Sequence, residues 1–408
     1  MQKGRFVRPF FRLFALNTGF APFSARTISE QYCKRSCRKL SFCNSKVELD
    51  YMTTPTGFRP KIAVLWLARS LGMFALARRL TASRLRILCY HGGRIGDEHR
   101  YNPKLFCSAE AFRARLDWLQ QAGFRIVSLD QAVATPPGRR APLETVITFD
   151  DGWYSTGSTL LPLLAERGLP STLYLCTQHF LEGWPVLNVS TRYILWKSPR
   201  RTIRIEGFGA GIDGEHDLSD AAARDKLVRA FVSGVAAGAT SRAQVCDALE
   251  RLAACAGIDP ASLELDSRRF EYMTAEELRA ASAAGCAIEL HGHVHDYPRG
   301  DPERFRADLA RCDEVIRDTG LPAPRHYCYP SGAYDAGAAA VLAERKVASA
   351  TTCVPGLVDG AAAPGCYFLP RFLDGENIHP LEFQAELSGF SEFLRRLLKR
   401  TPSNGYGT

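Results

Sequence analysis

From residue 84 onward, short apolar runs alternate with amphipathic stretches. Arg86-Ile87-Leu88-Cys89-Tyr90-His91 reads as a strand stopped by Gly92-Gly93. Residues 109–122 read as a helix with Ser108 as N-cap, Phe112, Leu116 and Leu119 on one face, and Gly123 closing it. Further strands are expected at 125–129, 145–149, 171–175, 286–290 and 325–329. Helices are expected at 160–166, at 274–284 behind a capping box of Thr274 and Glu277, and at 304–319, with Phe305, Leu309, Cys312 and Ile316 along one face. This β-α alternation predicts a parallel α/β architecture of barrel type.

Two regions break the rhythm. Residues 185–270 read as a helical insertion between strands, Ala-rich from about 217 to 256. Residues 62–80 read as one amphipathic helix through Ile62, Leu65, Trp66, Met73, Leu76 and Leu80, with Arg69 inside it and Arg78-Arg79 near its end. Its uncharged run is too short to span a bilayer, so it either packs on the body or lies on a membrane surface through residues 59–80. The expected organisation is a basic extension over 1–51 (a targeting segment or sequence upstream of the real start), an amphipathic segment over 52–83, one domain over 84–390, and a tail over 391–408. No convincing signal-peptide cleavage site precedes the domain, so a cytoplasmic or peripheral-membrane protein is expected.

Composition changes this picture in one respect. The net charge of +9 suggests nucleic acid, but the charge is segregated. Residues 1–51 carry ten Lys/Arg and three Asp/Glu, and residues 52–96 carry eight Lys/Arg and no acid. The rest holds 34 basic and 40 acidic residues, so the domain is mildly acidic and no nucleic-acid partner is expected. The 13 cysteines form no Cys-x-x-Cys pair and mostly sit singly in apolar stretches, as buried small hydrophobes do.

Three expected strands end in residues of catalytic type: Tyr90-His91, Asp150-Asp151-Gly152 and His291-Gly292-His293-Val294-His295. Strand C-termini form the active face of barrels. Asp151, His291 and His295 supply one carboxylate and two imidazoles, a ligand set for a divalent cation with positions left for water and substrate. Zinc is the default ion for such a set. His291 and His295 converge if the chain curls after its strand; if the strand continues, His293 shares their face and is also a candidate. Such an ion lowers the pKa of water and polarises an amide carbonyl, and Asp150 is then the general base. Gly152 permits the turn that brings both carboxylates to the mouth. Among nearby aromatics, Trp153 is the best candidate for contact with a substrate, ahead of Tyr154, Tyr329 and Tyr334.

These motifs resemble those of the polysaccharide deacetylases of chitin, peptidoglycan and biofilm glycans. Thr148-Phe149-Asp150-Asp151-Gly152 is similar to the family's first motif and His291-x-x-x-His295 to its second, with Gly292 where the family usually has Ser or Thr. Tyr327-Cys328-Tyr329-Pro330-Ser331-Gly332 resembles the third motif, a groove wall. The resemblance implies an irregular (β/α) barrel with fewer than eight full units, a metal on Asp151, His291 and His295, Asp150 as base, and Tyr329, Ser331 and Arg371 as substrate contacts. Many members place an Arg two residues before the motif's Pro to orient the base. Cys328 stands there, and Arg325 or Arg371 is expected to substitute. The late histidine that usually acts as acid is not recognisable, and His379 lies in a poor context. Some members take the acid from an early Tyr-His, which here is His91. The implied activity is hydrolysis of the N-acetyl group of amino sugars in an N-acetylated polysaccharide or its precursor. The rival readings are another amide or an O-acetyl ester on the same fold, a non-catalytic glycan-binding protein, and a two-His-one-carboxylate iron oxygenase, whose usual carboxylate spacing is absent.

Overall fold

The computed structural model describes residues 60–359 and 365–398. The extension over 1–51 and the end of the chain from 399 lie outside these residues. The chain divides into two compact units between Ala63 and Val64; the first contributes only residues 60–63 to the described chain, and the second carries the domain.

Where one helix is expected over 62–80 there are two, α1 (Pro60–Ser70) and α2 (Met73–Leu80). Gly72 between them adopts φ +75, and the axes bend by 74°. A residue without Cβ takes that backbone conformation at no steric cost, so the glycine divides an otherwise continuous apolar pattern. Phe74 and Ala77 of α2 are buried, with the Phe74 ring 5.1 Å from that of Phe390.

Nine strands form the main sheet: β1 (Arg86–Tyr90), β2 (Arg125–Ile126), β3 (Glu144–Asp151), β4 (Ser171–Leu175), β5 (Cys286–Leu290), β6 (His326–Cys328), β7 (Ser349–Thr351), β8 (Cys366–Leu369) and β9 (Phe372–Leu373). Their order is β8-β7-β6-β5-β4-β3-β1-β9, with β2 beside β3, and every pairing is parallel. The end strands β8 and β9 are separated in sequence only by Pro370 and Arg371. Three Cα steps reach at most about 11 Å, so the sheet curls until its two ends adjoin. The result is an irregular barrel whose seam is the segment carrying Arg371. The strand expected over 125–129 shortens to β2 because Ser128 caps a helix, Leu129–Ala134, by accepting from the Gln131 N–H at 3.1 Å.

Side chains alternate along the strands. Leu88, Tyr90, Ile147, Phe149, Leu173, Leu175, Ile288 and Leu290 face the surrounding helices, among them α3 (Ala109–Gln121). Ile87, Val146, Tyr174, Cys328 and Leu369 fill the interior. All eight residues of β3 are buried, as a central strand covered on both faces requires.

The insertion leaves the C-terminal end of β4 and returns beside the first carboxylate motif, where Tyr272 bridges to Trp153. It contains α4 (Leu187–Lys197), α5 (Ala221–Gly238) and α6 (Arg242–Cys255), and also an antiparallel hairpin, Thr202–Ile205 with Gly214–Asp217, that the expected helical insertion does not include. It has its own core, with Tyr193, Ile203, Phe231 and Leu249 at its centre. A buried ionic knot ties it to the loop after β1. Arg269 donates to Glu98 Oε2 at 2.6 Å and to Asp97 Oδ1 at 2.8 Å, and the Tyr193 hydroxyl donates to Asp97 at 2.5 Å. Arg269→Leu leaves a fully buried Glu98 carboxylate without its cation. Urea unfolding is expected to show a loss of about 3–5 kcal/mol; a change within 0.5 kcal/mol, the ordinary scatter of surface substitutions, would remove the knot from the account.

Beyond the insertion, α7 (Ala275–Ala283) carries the expected capping box, and α8 (Pro302–Asp318) matches the helix expected over 304–319. The last helices among the described residues are α9 (Pro380–Ser388) and α10 (Phe390–Leu397). The expected tail over 391–408 is therefore helical as far as Leu397. Phe390 anchors α10 by burial, and Arg395 ties it to α9 through Glu386 at 2.7 Å.

Candidate active site

The parallel strands deliver His91, Asp150, Asp151, His291 and Tyr329 to one rim of the barrel. Asp150 continues the inward-facing row of β3. Both its oxygens accept hydrogen bonds from Arg371, Oδ1 from Nη1 and Oδ2 from Nη2, each at 2.7 Å. The guanidinium is fully buried and also donates to Thr148 Oγ1 at 3.1 Å and to the Thr352 carbonyl at 3.0 Å. Burial alone raises the Asp150 carboxyl; the charge and hydrogen bonds of Arg371 outweigh it and hold the group well below the usual carboxylate range.

By strand alternation Asp151 belongs on the opposite face. It escapes because its own backbone is left-handed, φ +77, followed by Gly152 at φ +110. A non-glycine residue held there stores of order 1–3 kcal/mol of strain. A Cβ on Gly152 meets Leu175 Cδ1 at 2.5 Å, so a side chain has no room. The turn aims the Asp151 carboxylate at the rim. Trp153 Nε1 donates to its Oδ2 at 2.8 Å. Its Oδ1 is buried without a hydrogen bond and stands 3.4 Å from His291 Nε2 and 3.2 Å from His295 Nε2.

The two histidines converge because the chain curls after β5, with Gly292 at φ +81 and His295 at φ +34. The Asp308 carboxylate, from α8, accepts from the His293 N–H at 2.9 Å and the Val294 N–H at 3.0 Å and so holds the curl. A Cβ at Gly292 lies 2.7 Å from that carboxylate, so glycine and Asp308 together replace the hydroxyl usual in the resembled motif. His291 Nδ1 donates to the Cys328 carbonyl at 2.9 Å, which fixes the tautomer and turns the Nε2 lone pair toward Asp151. His293 points elsewhere, its Nδ1 2.9 Å from Thr177 Oγ1, so it is not a third ligand.

Asp151, His291 and His295 thus place three ligand atoms within 4.8 Å of one another. The set fits a divalent cation: two imidazole lone pairs and one carboxylate oxygen that nothing else satisfies. Two other donor groups at the rim, Cys89-His91-Asp150 and Asp150-His291-Cys328, include Asp150, where the Arg371 cation already sits. His91 is about one-tenth exposed, with Nε2 4.0 Å from Asp150 Oδ2 and Nδ1 without a hydrogen bond. Burial pushes its ring below the ordinary imidazole value, although Asp151 and Asp150 oppose the shift.

Several expected substrate contacts are corrected. Trp153 is buried and braces Asp151, so it does not line a groove. Tyr329 is buried among Tyr297, Tyr327, Tyr334 and Phe368 and presents no sugar-binding face. Arg371 is a partner of Asp150 and has no exposed edge for a substrate. It holds the orienting position left open by Cys328, whose Sγ lies 2.9 Å from Arg371 Nη2. Arg325 instead pairs with Asp130 at 2.7 Å on the surface. Ser331 is exposed in a tight turn at φ +53, where a substrate can reach it. His379 caps α9, accepting from the Leu381 N–H at 3.1 Å. Asp308 escaped the sequence reading, although a carboxylate inside the apolar stripe of Phe305, Leu309 and Cys312 is itself a signal.

Trp153→Phe removes one hydrogen bond and little volume. Titration with Zn2+ against a competing chelator is expected to show affinity lowered about 10–100-fold, and an unchanged affinity would deny Trp153 its bracing role.

The family model described as polysaccharide deacetylase matches residues 237–349, which include His291, His295 and the Tyr327–Gly332 segment. No curated protein sequence matches the chain. Among solved structures, the deacetylase PplD of Streptococcus pyogenes, in complex with acetate, is 14% identical, covering 75% of this chain and 99% of its own, with a TM-score of 0.48. IcaB from Ammonifex degensii is 17% identical over 75% of this chain and 97% of its own, TM-score 0.43. The BpsB deacetylase domain from Bordetella bronchiseptica is 17% identical over 71% and 97%, TM-score 0.39. The chain is a hydrolase acting on carbon–nitrogen bonds other than peptide bonds. The family model matched over residues 237–349 is that of the polysaccharide deacetylases, whose members depend on a metal ion.

Proposed function

We propose that the protein removes N-acetyl groups from the amino sugars of a polysaccharide or its precursor, with Asp151, His291 and His295 holding one divalent ion, zinc by default. The observation that carries this reading is the buried, unsatisfied Asp151 Oδ1 facing two imidazole Nε2 atoms. Bound there, such an ion lowers the pKa of water and polarises the acetyl carbonyl. Asp150, kept ionised by Arg371, takes the proton of the attacking water. His91 delivers a proton to the departing amine. Its ring is neutral near neutral pH, so it gains that proton within the cycle, and Asp150 Oδ2 stands 4.0 Å from its Nε2. Ser331, exposed at the rim, is the remaining candidate for substrate contact.

The assignment of the acid has its own test. An amine leaves poorly without a proton, whereas 4-nitrophenolate needs none. His91→Gln is expected to lower acetate release from an N-acetylglucosamine oligosaccharide by about 10²–10⁴-fold, and hydrolysis of 4-nitrophenyl acetate by far less. Equal losses on both substrates would move the acid elsewhere. Acetate release from the oligosaccharide by the unmodified enzyme tests the reaction as a whole, and release only from O-acetyl sugars would replace the amide with an ester.

A further inference from the structure

Ten of the fourteen large hydrophobic side chains exposed among the described residues lie on α1, α2 and α10 or at their ends. On α1, Val64, Leu67 and Leu71 follow an i, i+3, i+7 spacing and form one outward stripe, with Trp66 beside it. On α2, Met73, Leu76 and Leu80 repeat that spacing, while the opposite face buries Phe74 and Ala77. Phe393 and Leu397 of α10, with Leu398, are exposed as well. Met73, Leu76, Leu80 and Phe393 flank a shallow cleft of about 280 Å³ between α2 and α10. Each of α2 and α10 is therefore apolar on two sides, one packed and one bare.

The surface is firmly built. Thr81, at the end of α2, donates through Oγ1 to the Ser388 carbonyl at 3.2 Å. The buried Arg86 guanidinium donates to the Leu387 carbonyl at 3.0 Å, the Thr81 carbonyl at 2.9 Å and Thr81 Oγ1 at 2.8 Å. Gly389, at φ +84, lets α10 turn back close over Thr81.

We propose that this face, α1 and α2 with α10, docks the enzyme on the headgroup region of an anionic lipid bilayer. The charge pattern selects the partner. Arg69, Arg78 and Arg79 border the apolar stripes, and no Asp or Glu occurs between Asp50 and Asp97. Glu386, Glu392 and Asp359 balance Arg395, Arg396 and Arg84, so the positive surplus of this face is that of Arg78 and Arg79. A two-fold contact with a second copy sets this surplus against itself. An anionic surface meets it with attraction while the apolar stripes enter the acyl boundary. Among the described residues no single helix is long and apolar enough to cross a bilayer; α1 and α2 are long and apolar enough only together, and they are bent by 74°.

Co-sedimentation of the full chain with phosphatidylcholine vesicles, with and without phosphatidylglycerol, tests this directly. Binding is expected only with the anionic lipid and is expected to weaken as salt rises. Leu76→Ser with Phe393→Ser removes two exposed apolar anchors and weakens binding about a hundredfold. Arg78→Gln with Arg79→Gln weakens it about tenfold. Both pairs leave acetate release from a soluble oligosaccharide unchanged, so the docking face and the catalytic reading fail separately. Absence of binding to anionic vesicles overturns the proposal. So does a dimer in solution that the Leu76/Phe393 pair dissolves, or retention on the membrane after alkaline extraction, which marks a span.

Discussion

Asp150→Asn is expected to lower kcat/KM for acetate release by about 10²–10⁴-fold, with metal affinity within a few-fold of the parent. The Asp150 carboxylate comes within 4.8 Å of the candidate ligand His291 while standing outside the ligand set of Asp151, His291 and His295. It does not touch Asp151's orphaned oxygen, so its loss leaves the three ligands in place. The substitution preserves shape and one acceptor for Arg371 but removes the charge that a fully buried guanidinium requires. Stability therefore falls too, by up to about 3–5 kcal/mol, and the rate belongs well below the variant's melting temperature. A folded, metal-replete Asp150→Asn enzyme with undiminished turnover would remove Asp150 from the role of base.

Arg371→Met has the second large effect, visible as a shift in pH dependence. In the intact protein, burial pushes the Asp150 carboxyl up and Arg371 pulls it down, with the guanidinium prevailing. With methionine the two largest lowering influences are gone and burial is opposed only by His291 and His91, so the carboxyl rises. The base must be ionised to act, and activity falls on the acid side as it takes up its proton. The acid limb of kcat/KM is thus expected to move to higher pH, with kcat recovering toward the alkaline side. The variant also loses about 3–5 kcal/mol, because Asp150 stays buried without its cation. A packing role alone lowers stability and leaves the acid limb where it was, so the profile separates the two.

Much of this candidate site is legible in the chain because its donor groups stand at or just after strand ends, where the change from apolar run to polar residue is abrupt. Asp150, Asp151, His291 and His295 announce themselves in that way. The sequence offers Arg371 as a substrate contact and as one of two substitutes for a missing arginine. Its partner lies 221 residues earlier, and the contact exists because the sheet closes on a two-residue seam between β8 and β9. No local pattern encodes a closure of that kind. Cys328 looks like a defect in its motif until Arg371 fills the space its small thiol leaves. Trp153 was placed in the groove because it follows a glycine at the mouth, but the left-handed turn at Asp151 and Gly152 and the bridge to Tyr272 carry it inward. The break between α1 and α2 had its signal in Gly72, which one uninterrupted apolar period overrode.

The central claim is that one ion on Asp151, His291 and His295 makes this barrel a deacetylase. The most direct measurement is acetate release from an N-acetylglucosamine oligosaccharide by the purified chain, stripped with a chelator and titrated back with Zn2+. The account predicts no release from the stripped protein and full recovery at one ion per chain. Undiminished release after stripping, or an ion bound at one per chain with no acetate formed from any acetylated sugar, would contradict it.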